Sequence, residues 1–397
     1  MRAVYIVGAV RTPIGKIGGA FKEITADVLS AHVIQGLLNR FDVQIEVDEV
    51  ILGQGRQSAD AANIARVAAL RAQLPPSVTA YTVQRQCGSG LQAINNAAQQ
   101  IGTGLQDVII AGGTESLSTS PFYLRHARYG YGVGNATLYD SNIESQINSQ
   151  PIEQYGTLTM GLTAENLAEK YNITREEQDL FSLRSQQLAL SAMEAGYFHE
   201  EIIPFNIQGK KSFLVKNDEH PRNTSLEQLA KLKPVFKEGG TVTAGSSSGR
   251  NDGAAALLLM SKERLIHYSL QPKAKIIAQA VAGVEPELMG IGPVQATQKA
   301  LKLAGLKLED LDIIELNEAF AAQALAVIQE LKMDINKVNV NGGAIALGHP
   351  IGATGAILMT KLVYELHRRN ARYGLVTLCI GGGQGISTII ENCNYNK

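Results

Sequence analysis

Asn341-Gly-Gly-Ala-Ile-Ala-Leu-Gly-His-Pro-Ile-Gly-Ala-Thr-Gly355, followed by Leu375-Val-Thr-Leu-Cys-Ile-Gly-Gly-Gly383, decides the fold. Each run sets one chemically active side chain among glycines, His349 in the first and Cys379 in the second. Glycine lets backbone come close to a partner, so such loops mark places where the chain meets something. The first loop leads into a helical pattern over 353–369 and then a β-rich run over 374–379. Upstream, Cys87-Gly-Ser-Gly90 repeats the scheme. It follows a predicted strand over 80–83, opens a helix, and feeds a strand over 107–111 that ends in Ala111-Gly-Gly113. Val50 lies 37 residues before Cys87, and Ile313 lies 36 before His349. The paired spacing predicts an internal duplication of one αβ unit.

Outward from these loops, the first ~115 residues alternate β-rich runs (3–7, 49–52, 80–83, 107–111) with helical patterns. Val28, Leu29, Val33, Ile34, Leu37 and Leu38 recur at helical spacing, as do apolar residues over 63–74. The alternation predicts βαβ units and a mainly parallel sheet. The last third repeats it, with a strand over 312–316 leading through Asn317-Glu-Ala-Phe320 to a helix, and a strand over 385–390 closing the chain. Between them, roughly 117–243, the pattern changes. Gly130, Gly132, Gly134 and Asn135 interrupt a Tyr- and Arg-rich stretch, and helices are predicted over 163–170 and 175–195. A long excursion of this kind is expected to carry function.

Composition narrows the classes. A chain of 397 residues with 45% hydrophobic and 18% charged residues needs two or three cores. No segment reaches the roughly 18 apolar residues that cross a bilayer, and a net charge of -1 gives no long-range pull toward nucleic acid or anionic membrane. Three cysteines, Cys87, Cys379 and Cys393, do not suit a disulfide framework. The apolar start, Met1 to Val10, runs into Arg11-Thr-Pro-Ile-Gly15, read as a turn after a first strand rather than a leader's cleavage site. The last residues are not a peroxisomal address. A reduced, cytoplasmic enzyme is the expectation. No His, Cys and carboxylate cluster has metal spacing, and no phosphate-cradling loop precedes a helix.

The chemistry suggested by the loops is thiol chemistry. A cysteine at a helix N-terminus feels the positive end of the helix dipole, which favours the thiolate nucleophile. In isolation Cys87 would more often be a buried structural residue, but Cys-Gly-Ser-Gly at a strand-to-helix junction favours the nucleophile. His349, with Pro350 and Ile351 expected to begin the next helix, suits a neutral base that takes a thiol proton. Cys379 ends a β-rich run before three glycines. It reads either as a small apolar strand end or as a second, proton-transferring thiol beside backbone donors for an enolate oxygen.

These three segments, in this order and at these distances, resemble the thiolase family, and the resemblance runs from Tyr5 almost to the last residue. It implies a duplicated αβαβα layered α/β fold with an inserted loop domain. The halves are expected at 1–268 and 269–397, with the coenzyme A-binding and tetramerisation insertion at about 117–245. It further implies an acyltransferase joining two acetyl-CoA into acetoacetyl-CoA and CoA, and the reverse, through an acyl group on Cys87, with His349 and Cys379 as proton-transfer residues. Asn317 would hold a water that completes an oxyanion hole with His349. Glu318 is open between a helix-capping and a direct role.

Coenzyme A contacts carry over to Arg222, Ala244, Ser248, Gly249 and Phe320, and acyl-site contacts to Met160 and Met289. Coenzyme A and acetyl-CoA enter as substrates, with no permanently bound cofactor and no metal. The expected partner is a second copy of the chain, in a homotetramer built as a dimer of dimers. The sequence departs from the family pattern at Thr159, Gln86, Ser246-Ser247 and Ala61-Ala-Asn-Ile-Ala-Arg66. Two bulky thioethers point to short acyl chains. The alternatives are a broader 3-ketoacyl-CoA thiolase, a carrier-protein condensing enzyme of related fold and a silent acyl-CoA-binding scaffold. Cys379 speaks against the condensing enzyme, and the intact Cys87, His349 and Cys379 speak against the scaffold.

Overall fold

The computed structural model describes residues 2–209 and 212–396. Among the described residues nine strands form the path of the ten-stranded main sheet, and the tenth, Gly15–Lys16, pairs with its Asn251–Ser261 strand. The nine are β1 (Val4–Arg11), β2 (Glu49–Gly53), β3 (Thr79–Val83), β4 (Val108–Ser116), β5 (Asn251–Ser261), β6 (Ala274–Gly283), β7 (Ile313–Leu316), β8 (Tyr373–Ile380) and β9 (Gln384–Asn392). Their order is β7-β8-β9-β6-β1-β5-β4-β2-β3. The order is the same pattern twice. In the first half β3-β2-β4-β5-β1 are neighbours. In the second β7-β8-β9-β6 repeat β2-β4-β5-β1, and a parallel bridge from Ile314 to Val338 stands where β3 stands in the first. The halves meet where β1 pairs antiparallel with β6, Tyr5 opposite Lys275.

Eight helices position the site: α1 (Ala26–Leu38), α2 (Ile64–Arg71), α3 (Ser89–Thr103), α4 (Met160–Lys170), α5 (Arg175–Glu194), α6 (Gly292–Ala304), α7 (Ala321–Leu331) and α8 (Thr354–Arg368). Helices α3 and α8 pack on each other and on strands of both halves; α1 and α2 cover the outer face of the first half, and α6 that of the second. Strand alternation explains the layers. Ile51 and Leu257 face the central core with Leu91 and Ile94 of α3 and Leu362 of α8. Their neighbours Val50 and Leu258 face outward to Leu29 and Ile34 of α1. In the second half Val376 points inward and Leu375 outward, toward Leu301 of α6 and Val327 of α7. The result is the αβαβα stack.

Three expectations change. The sheet is mixed: β2 pairs parallel with β3 and β4, and β7 with β8, but β1, β5, β6 and β9 make antiparallel ladders. Strand β9 must run opposite to β8 because only Gly381-Gly-Gly383 joins them, too short for a parallel crossover. Second, β1 continues through Arg11, the residue read as a turn. Its fully buried guanidinium binds Glu201 and Asp218 at 2.7 Å each, tying the excursion between β4 and β5 to the sheet. Third, α8 begins at Thr354, not at Pro350; residues 350–353 form turns, and Ala353 is the N-cap.

Candidate active site

The starts of α3 and α8 meet face to face, and glycine is what lets them. A Cβ on Gly90 would lie 2.8 Å from the Gly352 carbonyl, and one on Gly355 would lie 2.5 Å from the Leu91 nitrogen. Side chains there would push the helices apart, so the glycine loops are read physically as the seam between halves. Cys87 sits directly before Gly88, the N-cap of α3, and follows Gln86, a non-glycine residue with φ of 44°. The Gly381 amide, in the loop after Cys379, acts on the Cys87 sulfur, and the two thiols are close enough for charge on Cys87 to act on Cys379. Two residues 292 positions apart in the chain thus share one pocket.

His349 is buried, and its backbone N–H donates to Asn251 Oδ1 at 3.0 Å. Its Nδ1 lies 2.6 Å from Thr354 Oγ1, and that hydroxyl donates to the Pro350 carbonyl at 3.1 Å. With its only hydrogen given to a carbonyl, the hydroxyl oxygen accepts from Nδ1–H. Nδ1 therefore carries the proton of the neutral ring, and Nε2 keeps its lone pair. Nε2 is buried with no hydrogen-bond partner among the described residues. Both side-chain polar atoms of Asn317, also fully buried, are likewise unpartnered. Buried polar atoms are nearly always satisfied, so these orphans point to atoms supplied by a ligand or water.

Burial dominates the electrostatics. It pushes the Cys87 thiol up, against the Gly381 amide and the Arg56 charge, and pushes Cys379 up as well, with the Cys87 charge adding to the effect. It pushes His349 down to about 4, with the Arg56 charge acting the same way. The expectation of a thiolate favoured by the helix end is therefore not met at rest: desolvation outweighs it.

The other sequence candidates fall in two groups. Met160, Met289 and Phe320 pack with Cys379, Phe236 and Ala319 in one apolar cluster, so the two thioethers do line the space beside the second thiol. Phe236 meets Phe320 edge-on at 5.8 Å. Thr159 is the N-cap of α4, accepting from the Leu162 N–H. Arg222, Ala244, Ser248 and Gly249 lie farther out. Arg222 and Ala244 are exposed and the other two half-buried. Ser248 N–H donates to the Ala319 carbonyl, which ties that segment to Asn317-Glu-Ala-Phe320. Glu318 accepts from Ser185, Asn339 and the N–H of Ile345, in the first turn of the short helix Ala344–Leu347, and so braces the loop before His349.

Sequence reasoning missed four residues. Asn251 and Thr354 orient His349, and Glu115 accepts from the N–H groups of Gly55, Arg56 and Gly352, joining the two halves. Arg56 stands between them, donating to Gln86 Oε1 at 3.0 Å. Thr354 lies inside the glycine-histidine loop, but its role there was not read; the signal at Glu115 was a polar residue near an otherwise apolar strand end. His220 adds a fifth. It lies against Gly249 and 3.4 Å from Arg222, and burial and that charge push it down to about 4.

Comparison with known proteins accounts for the whole chain. The thiolase N-terminal domain matches residues 4–263 and the thiolase C-terminal domain residues 270–392. The chain is 47% identical to an acetyl-CoA acetyltransferase of Syntrophomonas wolfei, covering 98% of this chain and 99% of that protein. It is 48% identical to the Escherichia coli 3-oxoadipyl-CoA/3-oxo-5,6-dehydrosuberyl-CoA thiolase, covering 98% and 100%. The Bacillus anthracis acetyl-CoA acetyltransferase structure superposes with a TM-score of 0.96 at 49% identity, over 99% of each chain. Human mitochondrial 3-ketoacyl-CoA thiolase in complex with CoA does so at 0.94 and 46%, over 98% of each. A duplicated αβαβα fold that brings two cysteines and a histidine to the seam between its halves, matched end to end by these relatives, belongs to the thiolase family.

Proposed function

We propose that the protein is an acetyl-CoA C-acetyltransferase, an acyltransferase that condenses two acetyl-CoA to acetoacetyl-CoA and CoA and runs the reverse thiolysis. The observations that carry this reading are the pairing of Cys87 with Cys379 beside the Gly381 amide and the buried, unpartnered His349 Nε2 and Asn317 side chain.

In the first half-reaction Cys87 Sγ attacks the thioester carbonyl while His349 Nε2 takes its proton. A neutral histidine, pushed down to about 4, is in the receiving form at neutral pH. Asn317 orients a water that, with His349, stabilises the oxyanion. CoA leaves as a thiolate that takes the Cys379 proton on its way out, so acetyl stays on Cys87 and Cys379 becomes a thiolate. In the second half-reaction Cys379 takes an α-proton from a second acetyl-CoA and the enolate attacks the acetyl carbonyl. Burial makes the Cys379 thiolate a strong base for that α-proton, and as the new carbon–carbon bond forms Cys87 leaves and takes back the proton held by His349. The glycine N–H groups after Cys379 stabilise the enolate oxygen.

Coenzyme A enters as a substrate along Ser248, Gly249 and Ala244, with Arg222 and His220 toward its nucleotide end, where a guanidinium suits phosphate and base stacking. Met160, Met289 and Phe320 close over the acetyl group. The halves divide at about 268, with the insertion over 117–245. Homotetramer formation is supported by the open edge of β3 and by the hairpin of Phe122–Leu124 and Leu138–Asp140, which exposes Phe122, Tyr129, Val133 and Leu138. Among the described residues no helix is long and apolar enough to cross a membrane, and three free cysteines suit a reducing, cytoplasmic setting.

Incubation with labelled acetyl-CoA, quench and peptide mapping tests the assignment. Label on the Cys87 peptide, released by CoA, is the expected result; label elsewhere or none removes the mechanism.

A further inference from the structure

We infer that the protein binds a small oxyanion of the phosphate class in a cavity lined by Arg56, Ser141 and Ser145, and that the bound ion restrains Cys87. The first observation is Arg56. It is 9% exposed, and among the described residues no carboxylate lies within ion-pair distance of it. An arginine this deeply buried is normally paired. Its Nη1 donates to Gln86 Oε1 at 3.0 Å and to the Gly55 carbonyl at 3.3 Å, while Nε has no partner. Glu115 feels this charge, but its oxygens are taken by the N–H groups of Gly55, Arg56 and Gly352.

The second observation is the cavity that Arg56 lines. It measures about 240 Å³, and Tyr123, Arg125, Ser141, Glu144 and Ser145 share its wall. The hydroxyls of Ser141 and Ser145 are both buried and, among the described residues, have no hydrogen-bond partner. They stand one turn apart on the short helix Ser141–Ile147, so they share a face. Three orphaned polar atoms, one of them on a cation, thus belong to residues of one small cavity. Arg125 adds no net charge there, being paired with Glu144 at 2.6 Å, and Arg56 is left as the uncompensated charge of the wall. Water would satisfy the hydroxyls without compensating that charge; an anion does both. A phosphate ion has an oxygen for the Nε–H and for each hydroxyl. The cavity is smaller than the roughly 300–1,000 Å³ of sites for drug-sized ligands, which favours the free ion over a nucleotide.

The ion would be felt at the nucleophile. Arg56 holds the side chain of Gln86, the residue before Cys87, and its charge favours the Cys87 thiolate while Glu115 opposes it. The same charge acts on His349. An anion seated on the guanidinium offsets it, and Cys87 becomes less reactive.

Calorimetry with inorganic phosphate at constant ionic strength tests the site without any turnover. One saturable site per chain should remain in Arg222→Gln, which removes the phosphate contact proposed for coenzyme A. Arg56→Gln should weaken binding at least about tenfold, and Ser141→Ala with Ser145→Ala about fivefold or more, as expected for lost charged and neutral hydrogen bonds. Sulfate should compete, and chloride should not. Saturating phosphate should slow iodoacetamide labelling of the Cys87 peptide about threefold or more in wild type and leave the rate in Arg56→Gln unchanged. No saturable binding, undiminished binding in Arg56→Gln, or binding lost in Arg222→Gln overturns the site. Chloride competing as well as sulfate overturns the ligand class, and labelling that phosphate does not slow overturns the restraint. Should Arg56→Gln not fold, the double serine variant decides, since it must lose affinity and the effect on labelling together.

Discussion

The two halves build the same corner and fill it differently. In the first, Cys87 precedes the N-cap of α3 and is partly exposed. In the second, His349 lies five residues before the first residue of α8 and is buried. The ends of the matching strands differ too: next to its last residue β4 carries Glu115, which clamps three backbone amides, whereas β8 carries Cys379 there. On the proposed mechanism, one half supplies the nucleophile and a structural carboxylate, the other the two proton-transfer groups. Duplication gave symmetric places, and burial decided what each group does there. It pushes both thiols up and the imidazole down, so all three rest uncharged. On the proposed mechanism these three groups become charged only when substrate is present, which avoids leaving them as desolvated ions at rest.

The asymmetry is broken most severely at the thiols. Cys87→Ser should lower turnover on the order of 10⁴-fold or more and abolish acyl-enzyme, because a hydroxyl is a far weaker nucleophile at neutral pH. Cys379→Ser should lose turnover similarly yet still form acyl-enzyme in a burst, since acylation needs only Cys87, His349 and the oxyanion donors. Rapid-quench measurement separates the two; acylation lost in Cys379→Ser and kept in Cys87→Ser would reverse the roles. Next in size, Asn317→Ala should cost about 10²- to 10³-fold in kcat, the usual loss for one oxyanion-hole donor, with unchanged thermal unfolding. A loss confined to KM would place Asn317 in binding alone.

The uncharged resting state has a pH signature. His349 takes its proton at about 4 in the folded protein, below the ordinary value of about 6.5 it has when unfolded. Its stabilising effect is therefore complete above about 6.5 and is lost as pH falls toward 4, at about 1.4 kcal/mol per pH unit. His220 acts with the same sign, and Asp252, pushed up to about 6 by burial, acts with the opposite one. Denaturant unfolding of wild type and His349→Asn across pH 4–6.5 isolates the term: the wild type should lose stability more steeply. Parallel curves would mean that burial does not set the histidine's state. The seam itself is probed by Gly113→Ala, whose Cβ would lie 2.1 Å from the Gly352 carbonyl. It should destabilise the fold by about 1–3 kcal/mol, read as a lower denaturation midpoint.

The sequence was most legible where chemistry demands several rare residues together. Cys87, His349 and Cys379 each sat in glycine, and the repeated spacing of 37 and 36 residues predicted the doubled order of the sheet. It was least legible where one polar residue acts across a long separation. Asn251 reaches His349 from 98 positions away and Glu115 reaches Gly352 from 237, contacts that local patterns do not encode. Strand direction was also hidden. Periodicity reports which face is buried, and the short glycine hairpin between β8 and β9 had to be read as a turn to give the antiparallel pair. The start of α8 was misplaced because Pro350 suits a first helical turn, whereas here residues 350–353 turn first, bringing Thr354 to the imidazole.

That last contact gives the smallest and most discriminating prediction. Thr354 touches no reacting atom; it is a positioning residue whose hydroxyl, committed to the Pro350 carbonyl, accepts from His349 Nδ1–H and leaves Nε2 to take the proton. Thr354→Val keeps the shape but removes that acceptor, so the ring is free to place its proton on Nε2, where it cannot act as a base. The value of one hydrogen bond, about 1–1.5 kcal/mol, predicts roughly a tenfold fall in kcat/KM for acylation. Thr354→Ser, which keeps the hydroxyl, should recover most of it. A purely structural role would lower stability in step with activity and would leave the ring's tautomer unchanged. Nitrogen NMR of the imidazole should therefore show Nδ1–H in wild type and in Thr354→Ser, and a mixture of tautomers in Thr354→Val. An Nδ1–H ring in all three proteins would mean that something other than Thr354 fixes the base.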